Sequence, residues 1–208
     1  MAWSGLLLIL FLYALALLSP WMVPYDPNAQ NLYDRLQPPT LGHPLGTDDL
    51  GRDVLSRMML GSRVSLSVGL LAVFISTVIG IFIGGLAGTL GGWVDQLLMR
   101  LVDVVICIPT MMLILMLIVF LGPSLFNVMV VIGITGWTDL ARMVRAEVLT
   151  LRQREFVLAS RALGAGEGKL MMRHLLPNAL APVFVSVTFS VAGAILMESG
   201  LSFLGLGA

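Results

Sequence analysis

The chain has 208 residues, 58% of them hydrophobic and only 12% charged, with a formal net charge of zero. Soluble domains carry about 25% charged residues, so too little polar surface remains for a water-soluble globule, and lipid is the expected solvent for much of the chain. The neutral balance points away from nucleic acid, the single cysteine, Cys107, excludes an internal disulfide, and two distant histidines, His43 and His174, form no metal-ligating cluster.

A helix crossing a bilayer takes about 20 apolar residues. Five segments meet that requirement: 3–23, 64–90, 101–121, 125–141 and 179–197. The first carries an A-x-A-like site at Ala14 and Ala16 but lacks the positive n-region of a cleaved signal. It reads as a retained transmembrane helix over 1–23.

Residues 24–62 are rich in Pro, Gly, Asn and Asp, which favours turns over a packed domain. Within them HPLGTDDLGRDVLSR predicts a short helix running to Arg57. Asp48 or Asp49 would cap it, and Gly46 and Gly51 would shape the turn before it. Local folding is the favoured role of this run over direct ligand contact.

The second span carries Gly80, Gly84, Gly88 and Gly92 at a spacing of four. That spacing lines one helix face and allows close backbone approach, either to a neighbouring helix or to a partner subunit. In the third span Pro109 removes a backbone donor and predicts a kink. Arg100 with Asp103, and Asp139 with Arg142, are three residues apart, and each pair is expected to bridge on one helix face. Glu198 closes the fifth span; water anchoring and a place on a cavity wall remain equally open for it.

Lys and Arg concentrate between the fourth and fifth spans: Arg142, Arg145, Arg152, Arg154, Arg161, Lys169 and Arg173. Such bias marks a cytoplasmic loop, here 143–177. Alternation then puts the N-terminus in the cytoplasm, makes 24–62 extracytoplasmic, and leaves 63–208 as the core. The loop reads as a short helix from Glu155, a glycine break at 164–168 and a second basic helix. Phe156, Ala159, Ser160 and Leu163 recur at helical spacing as one small apolar face, suited to a groove on a partner. Glu155 suits the helix start and Gly164 its stop, with Arg154 and Arg161 available to acidic groups on a groove rim. Leu176 and Pro177 mark return to the membrane. The competing reading is a basic helix lying on anionic lipid. No GxxxxGK[ST], HExxH or CxxC occurs, so the chain itself is not expected to hydrolyse ATP.

The run EFVLASRALGAGEGKLMMRHLLPN resembles the coupling loop of ABC-importer permeases, whose pattern is Glu-Ala-Ala, three residues, Gly, nine residues, Ile-x-Leu-Pro. Ala159, Gly164, Leu176 and Pro177 fall on it, whereas Leu158, Ser160 and His174 replace its Glu, second Ala and Ile. LGTDDLGRDVLSR, GGWVDQLLMRLVDVVICIP, ARMVRAEVLTLRQREFVLASRALGAG, RHLLPN and ESGLSFLGLG follow in family order from Tyr25 onward. Together they resemble the second permease subunit of a dipeptide, oligopeptide or nickel ABC importer. The resemblance implies an all-α, polytopic type I ABC-importer permease fold without cofactor. It implies a second homologous permease, two ATP-binding subunits and an extracytoplasmic solute-binding protein, all meeting in a cell membrane. It assigns ATPase docking to Glu155, Phe156, Ala159, Ser160, Arg161, Ala162, Leu163 and Gly164, and identifies no substrate-contacting residue. Two other classes fit less well. A secondary transporter would show inverted repeats and mid-span charges, and an integral-membrane enzyme would show clustered nucleophile, base or metal ligands. The family has a further span after ESGLSFLGLG, so five transmembrane helices of an expected six, and a C-terminally truncated permease, are the expectation here.

Overall fold

The computed structural model describes residues 2–207 and divides into two compact units, Met1–Ser67 and Val68–Ala208. Among the described residues it is all-helical apart from one isolated bridge.

In the first unit, α1 (Ala2–Met22) is apolar all round and exposes Trp3, Leu7, Phe11, Leu17 and Trp21, the pattern of a helix solvated by lipid. A turn-rich stretch follows, with one short 3-10 helix, Leu32–Asp34. Thr47 and Asp53 then pair antiparallel across a tight turn. Asp48 folds that turn, accepting the backbone N–H groups of Leu50 and Arg52 at 2.9 Å and the Arg52 and Arg57 guanidinium groups at 2.7 and 2.9 Å. Gly51 has φ +72°, and any Cβ there would strike the Asn31 carbonyl. The helix cap is Asp53 rather than Asp48 or Asp49: its Oδ2 accepts from Ser56 N at 2.8 Å and Ser56 Oγ at 2.6 Å. Helix α2 (Val54–Leu90) therefore starts ten residues before the apolar run that predicted it, because a cap can launch a helix in water before lipid begins. Asp53 also meets His43 Nδ1 at 3.0 Å, and the His43 ring lies 4.8 Å from that of Tyr25.

This network is pH-sensitive in a defined direction. Burial opposes ionisation of Asp48, yet the Arg52 and Leu50 N–H groups and the Arg52 guanidinium outweigh it and lower its carboxyl to about 2. Burial is likewise outweighed at Asp53 by Ser56 and then His43, so its carboxyl is also lowered. A depressed carboxylate contributes stability that is complete above its unfolded value near ~4 and is lost as pH falls through its folded value. Hydrogen exchange of amides 47–56, corrected for intrinsic rate, should stay slow from neutral pH to about 5 and speed up between about 4 and 2. Equal protection at both ends of that range would show that the carboxylates do not hold the turn.

The second unit is built on the glycine-rich part of α2. Helices α3 (Gly92–Ile106), α4 (Thr110–Leu121), α5 (Leu125–Thr135) and α6 (Thr138–Arg152) follow. Then come α7 (Glu155–Ala162), α8 (Glu167–Leu170), a π turn over Met171–Leu175 and α9 (Leu176–Phe203). Gly80, Gly84 and Gly88 all face α6. A Cβ on Gly80 would lie 2.7 Å from Leu140 Cβ, on Gly84 2.9 Å from Val144 Cβ, and on Gly88 2.8 Å from Val148 Cβ. The neighbour they meet is a helix of the same chain. Gly92 does not share that face: it opens α3 at φ +53° with nothing near it.

The five continuous spans are not all realised. Among the described residues three helices are long and apolar enough to cross a membrane: Trp3–Met22, Val54–Leu90 and Glu167–Phe203. The expected third span is α3 plus α4, bent by 84° at Cys107–Pro109. Proline cannot donate to the carbonyl a turn behind it, and its ring clashes there, so the chain leaves the helix and restarts at Thr110. The expected fourth span breaks at Gly136 and Trp137. There the Thr135 hydroxyl donates to the Val131 carbonyl at 2.8 Å, and glycine is a poor helix former. The fifth begins earlier than expected, since the helix runs on from Glu167 through Pro177. The π turn explains it: Leu176 N donates to Met171 O, five residues back, and the widened turn accommodates the proline.

Candidate coupling site

Helix α7 is short, and its ends are well defined. Glu155 lies in its first turn, where its charge suits the positive helix end. At the other end Gly164 has φ +84° and its N–H donates to Arg161 O at 2.9 Å, while Ala165 N donates to Ser160 O at 3.1 Å. Those two bonds are a Schellman stop, which favours glycine at the left-handed position.

One residue pins α7 to the protein. Val157 is fully buried in a cluster with Leu140, Val144 and Val148 of α6 and with Leu170, Leu175 and Ala179 further on. The other apolar residues face outward: Phe156 is 44% exposed, Leu158 49% and Leu163 90%. Ala159 and Ala162 are exposed too. Phe156 and His174 rings stand 6.5 Å apart. Ser160 spends its hydroxyl on Phe156 O at 2.9 Å. Arg161 is not free for a distant rim, as it bridges Glu167 at 2.9 Å and ties α7 to α8. Its Nε and the second Glu167 oxygen have no partner among the described residues. Beside the helix, Ser160, Leu163, Gly164, Lys169 and His174 line a hollow of about 170 Å³.

Helix α6 carries this loop and is itself anchored to α3. Arg145 grips Asp95 through two bonds, at 2.5 and 2.7 Å, and Arg142 meets Asp103 at 2.7 Å. Arg152 donates to the Gly88 carbonyl of α2 at 2.9 Å. Of the two local pairs expected from spacing, Arg100–Asp103 forms and Asp139–Arg142 does not. Arg100 reaches Asp103 only at 3.7 Å, and Arg142 turns away from Asp139. Glu198 is neither water-exposed nor free: it is buried and accepts from Ser202 at 2.7 Å. Leu176 and Pro177 open α9, but the helical run that continues through the π turn starts earlier, at Glu167. Reasoning from sequence missed Val157, Glu167 and the α3–α6 bridges. The i to i+3 spacing of Arg142 and Arg145, opposite acids on α3, was the available signal.

The described residues thus define an all-α, polytopic membrane protein with a short helix standing out from its basic loop. The chain belongs to the family of binding-protein-dependent transport system inner membrane components, whose model matches residues 76–208. A second model, the N-terminal TM domain of oligopeptide transport permease C, matches residues 1–39. Among curated relatives, the chain is 41% identical to a dipeptide transport system permease of Bacillus subtilis, over all of this chain and 65% of that protein. It is 38% identical to the oligopeptide transport system permease of the same organism, over all of this chain and 68% of that protein. The nickel transport system permease of Escherichia coli is 43% identical, over 99% of this chain and 75% of that protein. The chain thus spans about two thirds of the length of the first relatives it matches.

Proposed function

We propose that this chain is the permease subunit of an ATP-driven importer and supplies half of a translocation pathway for a small peptide or related solute. On this reading α7 is the coupling helix. It docks in a groove on an ATP-binding subunit, which performs the hydrolysis that the chain has no phosphate-binding loop to perform. The carrying observation is the exposed apolar face of Phe156, Ala159 and Leu163 on a helix held to the protein by buried Val157. An isolated eight-residue helix is marginal in water; a Val anchor, an ion pair and a glycine stop hold this one rigid. A rigid protrusion can transmit force, because displacement of α7 moves α6, and α6 is bonded to α2 and α3 through Arg152, Arg145 and Arg142. Two ATP-binding subunits, a second permease and an extracytoplasmic binding protein complete the assembly, with loop 143–177 and the N-terminus in the cytoplasm.

Two measurements on the complex in its native membrane test this. A tagged chain should co-purify with an ATP-binding subunit. In a background lacking Cys107, a cysteine at Asn31 should react with an impermeant reagent outside intact cells, and one at Gly166 only after the membrane is opened. Absence of any ATPase partner, or the opposite labelling pattern, would remove the coupling role.

A further inference from the structure

We propose that Asp139 is a specificity-determining residue that binds the protonated amine of the cargo; this rests on the permease reading above. A cavity of about 310 Å³ opens in the second unit, lined by residues that include Ser76, Thr110, Thr135, Gly136, Asp139 and Ser190. That volume is at the small end of ligand pockets, about 300–1,000 Å³, and suits a solute the size of a short peptide.

Both broken spans meet there. Thr110 is where α4 restarts after Pro109, and Gly136 is the break between α5 and α6. Non-helical backbone at membrane depth is tolerated where it is buried in protein or lines a wet cavity. Both breaks border the same cavity.

The lining has a defined polarity. The Ser76, Thr135 and Ser190 hydroxyls donate to their own helix carbonyls, Val73, Val131 and Ser186, at 3.0, 2.8 and 3.0 Å. Their protons are committed, and their oxygens offer only lone pairs. Asp139 is the sole ionisable side chain in the lining. The arginine that spacing would give it, Arg142, is held by Asp103, and Arg145 by Asp95. Among the described residues the Asp139 carboxylate has no partner. Asp139 is exposed, so a solute that enters the cavity can reach its carboxylate.

Three hydroxyls with committed protons and one carboxylate outnumber the single uncommitted hydroxyl of Thr110, and that balance favours a group that only donates. An ammonium carries three N–H donors and no acceptor. Nickel suits imidazole, which this lining lacks. The free amino terminus of a peptide fits best.

Asp139 also lies in the first turn of α6, where its charge favours the helix dipole, so the test separates charge from fold. The complex, with its own partner subunits reconstituted in vesicles, is assayed for ATP-driven uptake of a free-amine dipeptide, its N-acetylated form and nickel. The binding protein is the same in every arm, so its selectivity cancels between variants. Asp139→Asn should lower uptake of the free-amine peptide about tenfold or more, leave the acetylated form nearly unchanged, and leave complex recovery intact. Asp139→Glu should keep most of the preference. The inference is overturned by unchanged uptake in Asp139→Asn, by equal loss for both peptides, or by a loss confined to nickel. A wild-type complex with no ATP-driven uptake at all would instead overturn the permease reading.

Discussion

Gly84→Leu is expected to prevent α2 and α6 from packing and to abolish recovery of folded protein. A Cβ at Gly84 would overlap the Ala141 carbonyl and lie 2.9 Å from Val144 Cβ. Backbone cannot swing aside as a flexible side-chain tip can, so the helices would have to separate. Overpacking costs about 1–3 kcal/mol where a core can adjust. Here separation would also pull α6 from Arg152's bond to Gly88 O and open the cluster around Val144 and Val148. The smaller change Gly84→Ala should therefore lower the detergent melting temperature clearly. Gly193→Ala, where nothing lies within 4 Å, should be neutral or slightly stabilising, since alanine is the better helix former by about 1 kcal/mol. Comparable melting of the Gly84 and Gly193 alanine variants would refute the close-contact argument.

What could be read before the structure depended on the range of the forces involved. Lipid solvation acts on every residue of a long helix, so α1, α2 and α9 stand out in the amino-acid order alone. A break depends on one missing donor or one diverted carbonyl, and a hydropathy window averages over it. Pro109 predicted a kink, yet the 84° turn follows from the whole Cys107–Pro109 connection. At Gly136 the deciding contact is the Thr135 hydroxyl on Val131 O, which no periodicity reports.

The charges were only partly assigned for a related reason: Arg100 does bridge Asp103, at 3.7 Å, but the closer bonds run between helices. Spacing of three ranks Asp103 with Arg100 and Asp139 with Arg142, because only neighbours on one helix are visible in a linear string. Once α3 and α6 lie side by side, guanidinium groups on long stems reach across. Asp103 then meets Arg142 although 39 positions separate them. The glycine stripe was easier, because its close approach to α6 needs only missing side chains at a helical period. In the loop, Glu155 and Gly164 were legible as helix start and stop. Val157 was not, since FVLA offers an apolar residue in every direction and only α6 decides which one is buried.

The last expected result concerns that buried-versus-exposed division. Ala159→Glu should remove the ATP-binding subunit from the purified complex while the permease itself stays folded. Ala159 is exposed on α7, and substitutions at such sites usually change stability within about 0.5 kcal/mol. Glutamate is also a good helix former, so α7 should persist. In a partner groove the same carboxylate would be stripped of water without a counter-ion, a cost of several kcal/mol. At 1.4 kcal/mol per tenfold, association should fall by about a hundredfold or more. Val157→Ala gives the opposite signature. It removes the anchor from beneath the helix, so it should lower the melting temperature first and coupling only in consequence. Measuring melting and ATPase recovery for both variants separates a docking surface from a structural one. If Ala159→Glu recovers the ATPase normally, α7 is not the docking helix. If α7 instead lay on anionic lipid, the new charge would lift it from vesicles and leave ATPase binding untouched.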